Sequence, residues 1–269
     1  MTTSRNELVP ALGTPVSETP ALEVRGISVA YGERAILENV SLTLERGELV
    51  SLLGLSGSGK TTLFHVISGL LRPDAGSVWL EGREITGRTG EIAYMLQKDL
   101  LLRHLRVVDN VALPLVLRGL PRARARAEAA QHFADFGLEG TQMLYPAELS
   151  GGMAQRAALL RTWLVSGAAM LLDEPFSALD ALTRRQLHGW FQGKRGELGL
   201  TTLLITHDID EAIYLSDRIL ILGGSPASIR AEFEIRRPDA AEGEDFATSA
   251  AYLGYKRRLL QALDGVRGG

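Results

Sequence analysis

An α/β fold is what this sequence predicts: a parallel sheet, an antiparallel β layer ahead of it, and a helical insertion within it. Three observations carry that expectation. Uninterrupted apolar runs (LVSLL at 49–53, MLL at 170–172, LLI at 203–205) alternate with segments of helical spacing, the pattern of strands buried on both faces by crossover helices. The stretch ALEVRGISVAYGERAILENVSLTLERGE over 21–48 instead alternates apolar and polar residues between glycines, as antiparallel strands with one wet face do. Between about 98 and 160 the pattern turns helix-rich, through RGLPRARARAEAAQHFADFGL and AQRAALLRTWL.

Taken in order, residues 1–20 carry no apolar signal core and are rich in Pro, Thr and Ser, which predicts a flexible tail and argues against secretion. Short strands follow to Glu48, then the buried strand Leu49–Leu53, which runs straight into Gly54. The run TTLFHVISGLL has helical spacing at Leu63, Val66, Ile67 and Leu70, with stop signals at Gly69 and Pro73. Residues 77–97 read as further short strands ending at Gln97, and the helical insertion has turns at Pro121, Gly137 and Tyr145-Pro146. Strand character returns in AAMLLDEP, a helix is predicted over Asp180–Leu198, and TTLLITHD gives another buried strand. Beyond Pro226 come a polar linker, DAAEGED, and a closing helix around YKRRLLQAL, so the expected organisation is a domain over 21–225 with an extension over 226–269.

Composition narrows the function classes. At 269 residues and 45% apolar content, a substantial core is expected. Net charge is -3, so nothing in the overall balance points to nucleic acid or anionic lipid, and Arg122, Arg124 and Arg126 read as a solvated helix face. The absence of cysteine excludes disulfides, thiolate nucleophiles and cysteine-based zinc sites. The longest uncharged runs, Thr162–Leu172 among them, fall well short of the roughly 18 residues a spanning helix needs.

The decisive segment is GLSGSGKTT, Gly54–Thr62, which fits G-x-x-x-x-G-K-[ST] between a buried strand and a helix. Small residues let the backbone curl so that successive N–H groups face a phosphate, and the helix behind adds about half a positive charge at its N-terminus. Gly54, Leu55, Ser56, Gly57, Ser58 and Gly59 form that loop. Lys60 is placed for the β- and γ-phosphates, Thr61 offers a hydroxyl to Mg²⁺, and Thr62 completes the motif. A RecA-like P-loop NTPase core, with ATP as substrate and Mg²⁺ beside it, is the resulting expectation.

Three further features fall at the ends of predicted strands, where open α/β sheets bind ligands. In MLLDEP, side-chain alternation along a continuing strand would turn Asp173 toward the metal and Glu174 toward an attacking water as general base. His207, after TTLLIT, would stand near the γ-phosphate, and Gln97 can offer a carbonyl to Mg²⁺ and an amide to water. The turn in LSGGMAQRAALLR at 149–161 stays open on its own residues: Ser150, Gly151 and Gly152 are either a helix N-cap with a flexible lead-in or an anion site made of backbone N–H groups.

Together GLSGSGKTT, Gln97, LSGG, MLLDEP, SALD at 177–180 and His207 resemble, in the same order, the nucleotide-binding subunit of ATP-binding-cassette transporters. The resemblance implies a head-to-tail dimer with a second copy, in which Ser150, Gly151 and Gly152 serve the ATP held by the other subunit. It also implies that Tyr31 stacks on adenine, that Asp180 communicates across the dimer, and that the helical insertion docks an integral-membrane permease. The segments YMLQKDLLL, VVDNVALPL, DEPFSALDALTR and THDIDEAIYLSDRI bring the chain closer to the importer ATPases of the nitrate, sulfonate, taurine and thiamine-pyrimidine-precursor group. Arg103-His104 and Ala154 depart from that group's pattern, the first pair on the expected docking surface. Membership of such a group implies an ATPase on the cytoplasmic face of the membrane, with an extracytoplasmic solute-binding protein in the same system and no nucleic acid. The alternative is a non-transport cassette acting on nucleic acid or the ribosome, which tends to carry two cassettes or a long coiled coil in one chain.

Overall fold

The computed structural model describes residues 19–177, 179–237 and 246–267, so the expected tail, Ala178 and the polar linker lie wholly or almost wholly outside the described residues. Ten strands form one sheet: β1 (Leu22–Tyr31), β2 (Arg34–Leu44), β3 (Leu49–Leu53), β4 (Ala75–Leu80), β5 (Arg83–Glu84), β6 (Ala93–Met95), β7 (Met170–Asp173), β8 (Thr202–Ile205), β9 (Arg218–Gly224) and β10 (Ala227–Glu234). Their spatial order is β5-β4-β1-β2-β10-β9-β3-β8-β7-β6. The strands from β9 to β6 pair in parallel, whereas β5, β4, β1 and β2 pair antiparallel, in line with the sequence patterns for β3, β7 and β8 and for β1 and β2. Every residue of β3, β7 and β8 is buried.

The two halves are joined by a strand the sequence pattern left unassigned. β10 forms an antiparallel hairpin with β9 and meets β2 in parallel at Ala227 and Leu37. The sheet therefore runs past residue 225, and the hairpin straddles the expected edge of the domain. Seven helices accompany the sheet among the described residues: α1 (Lys60–Ile67), α2 (Val107–Leu117), α3 (Arg122–Gln131), α4 (Gly151–Trp163), α5 (Ala181–Glu197), α6 (Ile209–Leu215) and α7 (Ala250–Arg267).

Alternation along the buried strands feeds a core on each face of the sheet. Leu172 and Leu204 pack with Val111, Phe133, Phe136 and Trp163 of the helical insertion. Leu171 and Leu203 pack on the other side with Leu52, Phe64 and Ile67. A third cluster joins Leu53, Ile213 and Ile221 to Tyr252 and Leu259 of α7, which lies so close to β9 that a Cβ at Gly223 would collide with Val266. Within the insertion, Arg122 and Arg126 turn to the buried carboxylate of Asp109, so two of the three basic residues of α3 have an intrachain partner.

Candidate active site

Parallel register decides where the chemistry gathers. Leu52 pairs with Ile205, Ile205 with Asp173, and Leu172 with Met95, so β3, β8, β7 and β6 end level with one another. The chain leaves those four ends through Gly54, His207, Glu174 and Gln97 respectively, which brings residues from distant parts of the sequence to one edge. A cleft of about 810 Å³ opens there, lined by Tyr31, Arg34, Ile36, Ser56, Gly57, Gly59, Lys60, Thr61, Thr62, Gln97, Asp173, Glu174, Ile205 and His207.

The loop that floors the cleft curls because glycine allows it. Gly57 and Gly59 hold φ of 78° and 89°, a region costly for residues with a Cβ. At Gly54 a Cβ would lie 2.5 Å from the Leu222 carbonyl and 2.7 Å from Ser58 Oγ, so only glycine fits between loop and β9. Gly59 ends the loop and starts α1 without any side-chain cap, which leaves the first N–H groups of the helix available to an anion. Lys60 is buried, and its ammonium donates to the carbonyls of Gly54 and Leu55, each at 2.8 Å. Two of its three N–H bonds are thus spent holding the loop, and the third remains for a phosphate. Burial pulls the lysine below its usual range, while the Glu174 and Asp173 carboxylates push it back up. Gly54, Leu55 and Ser58 shape the loop without lining the cleft, and Ser58 Oγ is buried with no hydrogen-bond partner.

The carboxylate pair differs from its expected geometry. β7 stops at Asp173, and Glu174 takes φ of 45°, so strand alternation ends before it can send the two side chains to opposite faces. Both line the same cleft. A non-glycine residue at positive φ is sparsely populated and persists only when its surroundings over-determine it. Here the Glu174 N–H donates to the Ile205 carbonyl at 2.9 Å, and Ser177 Oγ donates to the Glu174 carbonyl at 3.0 Å. The carboxylate is held from both sides, 3.0 Å from His207 Nδ1 and 3.0 Å from the donating Gln97 Nε2. Asp173 is buried, which raises its pKa. The hydroxyl of Tyr94, donating to Oδ2 at 3.1 Å, works the other way.

Thr61, Gln97 and Asp173 present a hydroxyl, an amide carbonyl and a carboxylate to the same space, a set of hard oxygen donors with a single carboxylate that suits Mg²⁺ sharing phosphate oxygens and water. Among the described residues no cluster of three or more His, Asp or Glu could hold a metal by itself, so a cation here would depend on the nucleotide's oxygens. Tyr31 stands 55% exposed at the rim rather than in the core, free to take a flat ring.

The Ser-Gly-Gly turn does not line this cleft. Ser150 caps α4, its Oγ accepting from Met153 N at 3.3 Å, so the cap half of the open reading is realised. Asp180 caps α5 through Leu182 N and Thr183 N, both at 3.1 Å. The two capped ends touch: a Cβ at Gly152 would come within 2.8 Å of Thr183 Cγ2, and one at Gly151 within 3.4 Å of Leu179. Sequence reasoning gives Tyr94 and Ser177 no role of their own: the first looks like one more apolar strand residue, and the second reads only as the opening of SALD.

Lys60→Ala is expected to weaken Mg-ATP binding at least about tenfold, because it removes the buried cation and the two bonds that set the loop. Isothermal titration with the full chain checks this, and unchanged affinity would show that the loop is not the phosphate cradle.

The chain is similar to known proteins. Residues 37–177 match the family described as ABC transporter. The formylaminopyrimidine import ATP-binding protein ThiZ of Halalkalibacterium halodurans is 45% identical over 74% of this chain and 78% of its own. The aliphatic sulfonates import ATP-binding protein SsuB 1 of Xanthomonas axonopodis pv. citri is 41% identical over 87% of this chain and 92% of its own. Among solved structures, the dimeric form of a bacterial ABC transporter cassette aligns with a TM-score of 0.67 at 29% identity, over 80% of this chain and 99% of that one.

Proposed function

The chain belongs to the ABC transporter family, and from that premise we propose that it hydrolyses Mg-ATP as a homodimeric or heterodimeric cassette to drive solute uptake through a separate integral-membrane permease. The observation that carries the reading is the cleft at the level ends of β3, β8, β7 and β6, where a phosphate loop, a paired carboxylate, an amide and an imidazole converge.

In this reading the N–H groups of Gly57 to Thr62 and the Lys60 ammonium take the β- and γ-phosphates, and Tyr31 takes the adenine. Mg²⁺, held by Thr61, Asp173 and Gln97, would neutralise charge on the phosphate oxygens. Glu174 accepts a proton from the water whose oxygen bonds to the γ-phosphorus as the bond to the bridging oxygen breaks, releasing ADP and phosphate. Since the Glu174 carboxylate already lies between His207 Nδ1 and Gln97 Nε2, it is oriented before the substrate arrives, and the second ring nitrogen of His207 is left for the γ-phosphate. Ser150, Gly151, Gly152 and Asp180 serve the site of the other copy.

No helix among the described residues is long and apolar enough to cross a membrane, which suits a peripheral subunit on the cytoplasmic face whose permease, and any solute-binding protein, are other chains. The two relatives are named as import proteins, which disfavours the non-transport alternative. A tagged full chain, expressed in its own cell and solubilised from the membrane fraction with mild detergent, should bring down a multi-spanning protein. Recovery only with nucleic acid or ribosomal proteins would overturn the transport reading.

A further inference from the structure

Arg184 does not line the cleft, yet its guanidinium reaches three turns that carry the candidate machinery. It stands in the first turn of α5, four residues after the Asp180 cap. Nε donates to the Phe176 carbonyl at 3.2 Å, Nη2 donates to the Leu179 carbonyl at 2.8 Å, and Nη1 lies 3.6 Å from Asp208 Oδ2. Phe176 follows Glu174 by two residues, Leu179 directly precedes Asp180, and Asp208 directly follows His207. One planar side chain therefore joins the segments of the general base, the imidazole and the turn assigned to the partner's site. A guanidinium suits this because its N–H bonds leave in a fixed fork, which sets the acceptors at fixed angles to one another; an ammonium cannot do so.

The surroundings show why such a tie is needed. Glu174 holds a positive φ that only over-determined surroundings maintain, and among the described residues its own backbone is bonded only to Ile205 and to Ser177 of the same turn. Asp208 is already committed through Oδ1 to capping α6 at Asp210 N and Glu211 N, which leaves Oδ2 to face Arg184. One turn further along α5, the buried His188 stands 3.4 Å from the buried Glu211, so α5 also approaches α6 at that level.

We propose that Arg184 is a positioning residue for hydrolysis, which holds the Glu174 turn and the His207 turn in register and ties both to the turn before Asp180. The proposal rests on reading Glu174 and His207 as the hydrolytic pair. Arg184→Ala is expected to slow single-turnover hydrolysis by the full chain roughly ten- to a hundredfold, the scale on which a displacement of about 1 Å acts, with the Mg-ATP dissociation constant nearly unchanged. Arg184→Lys keeps a charge toward Asp208 but loses the fork, and should stay far below the native rate. Millimolar guanidinium should partly restore Arg184→Ala and leave the native chain unaffected. Native-like turnover in a folded Arg184→Ala chain would overturn the proposal. So would a loss that tracks a lower melting temperature or weaker nucleotide binding and is not rescued by guanidinium. Glu174→Gln run in parallel separates the two readings: if it is active, the hydrolytic assignment fails, whereas if it is inactive and Arg184→Ala is normal, only the positioning role fails.

Discussion

Glu174→Gln is expected to bind Mg-ATP normally and to hydrolyse it at least about 10²-fold more slowly, the usual scale for removing a general base. The substitution is close to isosteric, and glutamine at φ of 45° meets the same backbone cost as glutamate, so the turn after β7 has no new reason to move. What changes is the polarity of the side chain. The native carboxylate accepts from Gln97 Nε2 and faces His207 Nδ1, and an amide in its place sets its NH₂ toward one of the two and its oxygen toward the other, in conflict where the NH₂ meets the Gln97 donor. Gln97 can relieve that conflict by turning its own amide, so the fold and the phosphate loop are spared while the proton acceptor is lost. Steady-state hydrolysis, together with light scattering to follow the ATP-dependent dimer, checks the prediction. Near-normal turnover would remove Glu174 from the catalytic role, and failure to bind nucleotide would mean that the substitution had damaged the cradle instead.

The parts of this site that were legible in the sequence are those set by local rules. A buried strand, small residues, then a lysine and a threonine opening a helix favour a phosphate loop over a glycine hinge, and the fully buried β3, β7 and β8 follow from their apolar runs. What escaped depends on contacts that cross the chain. β10 is half exposed, follows a proline, and owes its place to pairing with β9 and with β2, far back in the sequence. Tyr94 reads as strand packing until its hydroxyl is seen on Asp173, 79 positions away. The expectation for Glu174 failed for a local reason: alternation was extended one residue beyond the last strand residue, where positive φ ends it. Arg184 sits in the first turn of α5, its partners Phe176, Leu179 and Asp208 all lie outside that helix, and nothing in its spacing announces them.

A mixture of two inactive chains should recover nucleotide trapping, because Ser150 is assigned to the ATP of the other copy. Within one chain the Ser-Gly-Gly turn is absent from the cleft lining, yet it is kept in order as the capped start of α4, packed against the start of α5. Ser150 Oγ uses a lone pair in the cap, so its hydroxyl proton and the exposed backbone of Gly151 remain for an anion brought by a partner. A Lys60→Ala chain has a damaged cradle and a sound turn, and a Ser150→Arg chain has the reverse. Each homodimer then holds two bad sites, but a mixed dimer combines one doubly damaged site with one intact site. With free exchange at equal concentrations and two-fold pairing, about half of the dimers are mixed. Vanadate-dependent trapping of labelled nucleotide should therefore rise well above the sum of the two chains measured separately. Trapping is a better readout than turnover, since a cycle that needs both sites can stall with one competent site. Ser150→Arg also removes a cap worth about 1 kcal/mol, so its melting temperature must be compared with that of the native chain, and Ser150→Ala, which loses the cap without adding bulk, provides the control. If mixed dimers are shown to form and trap no more than their components, the turn is an N-cap and nothing else.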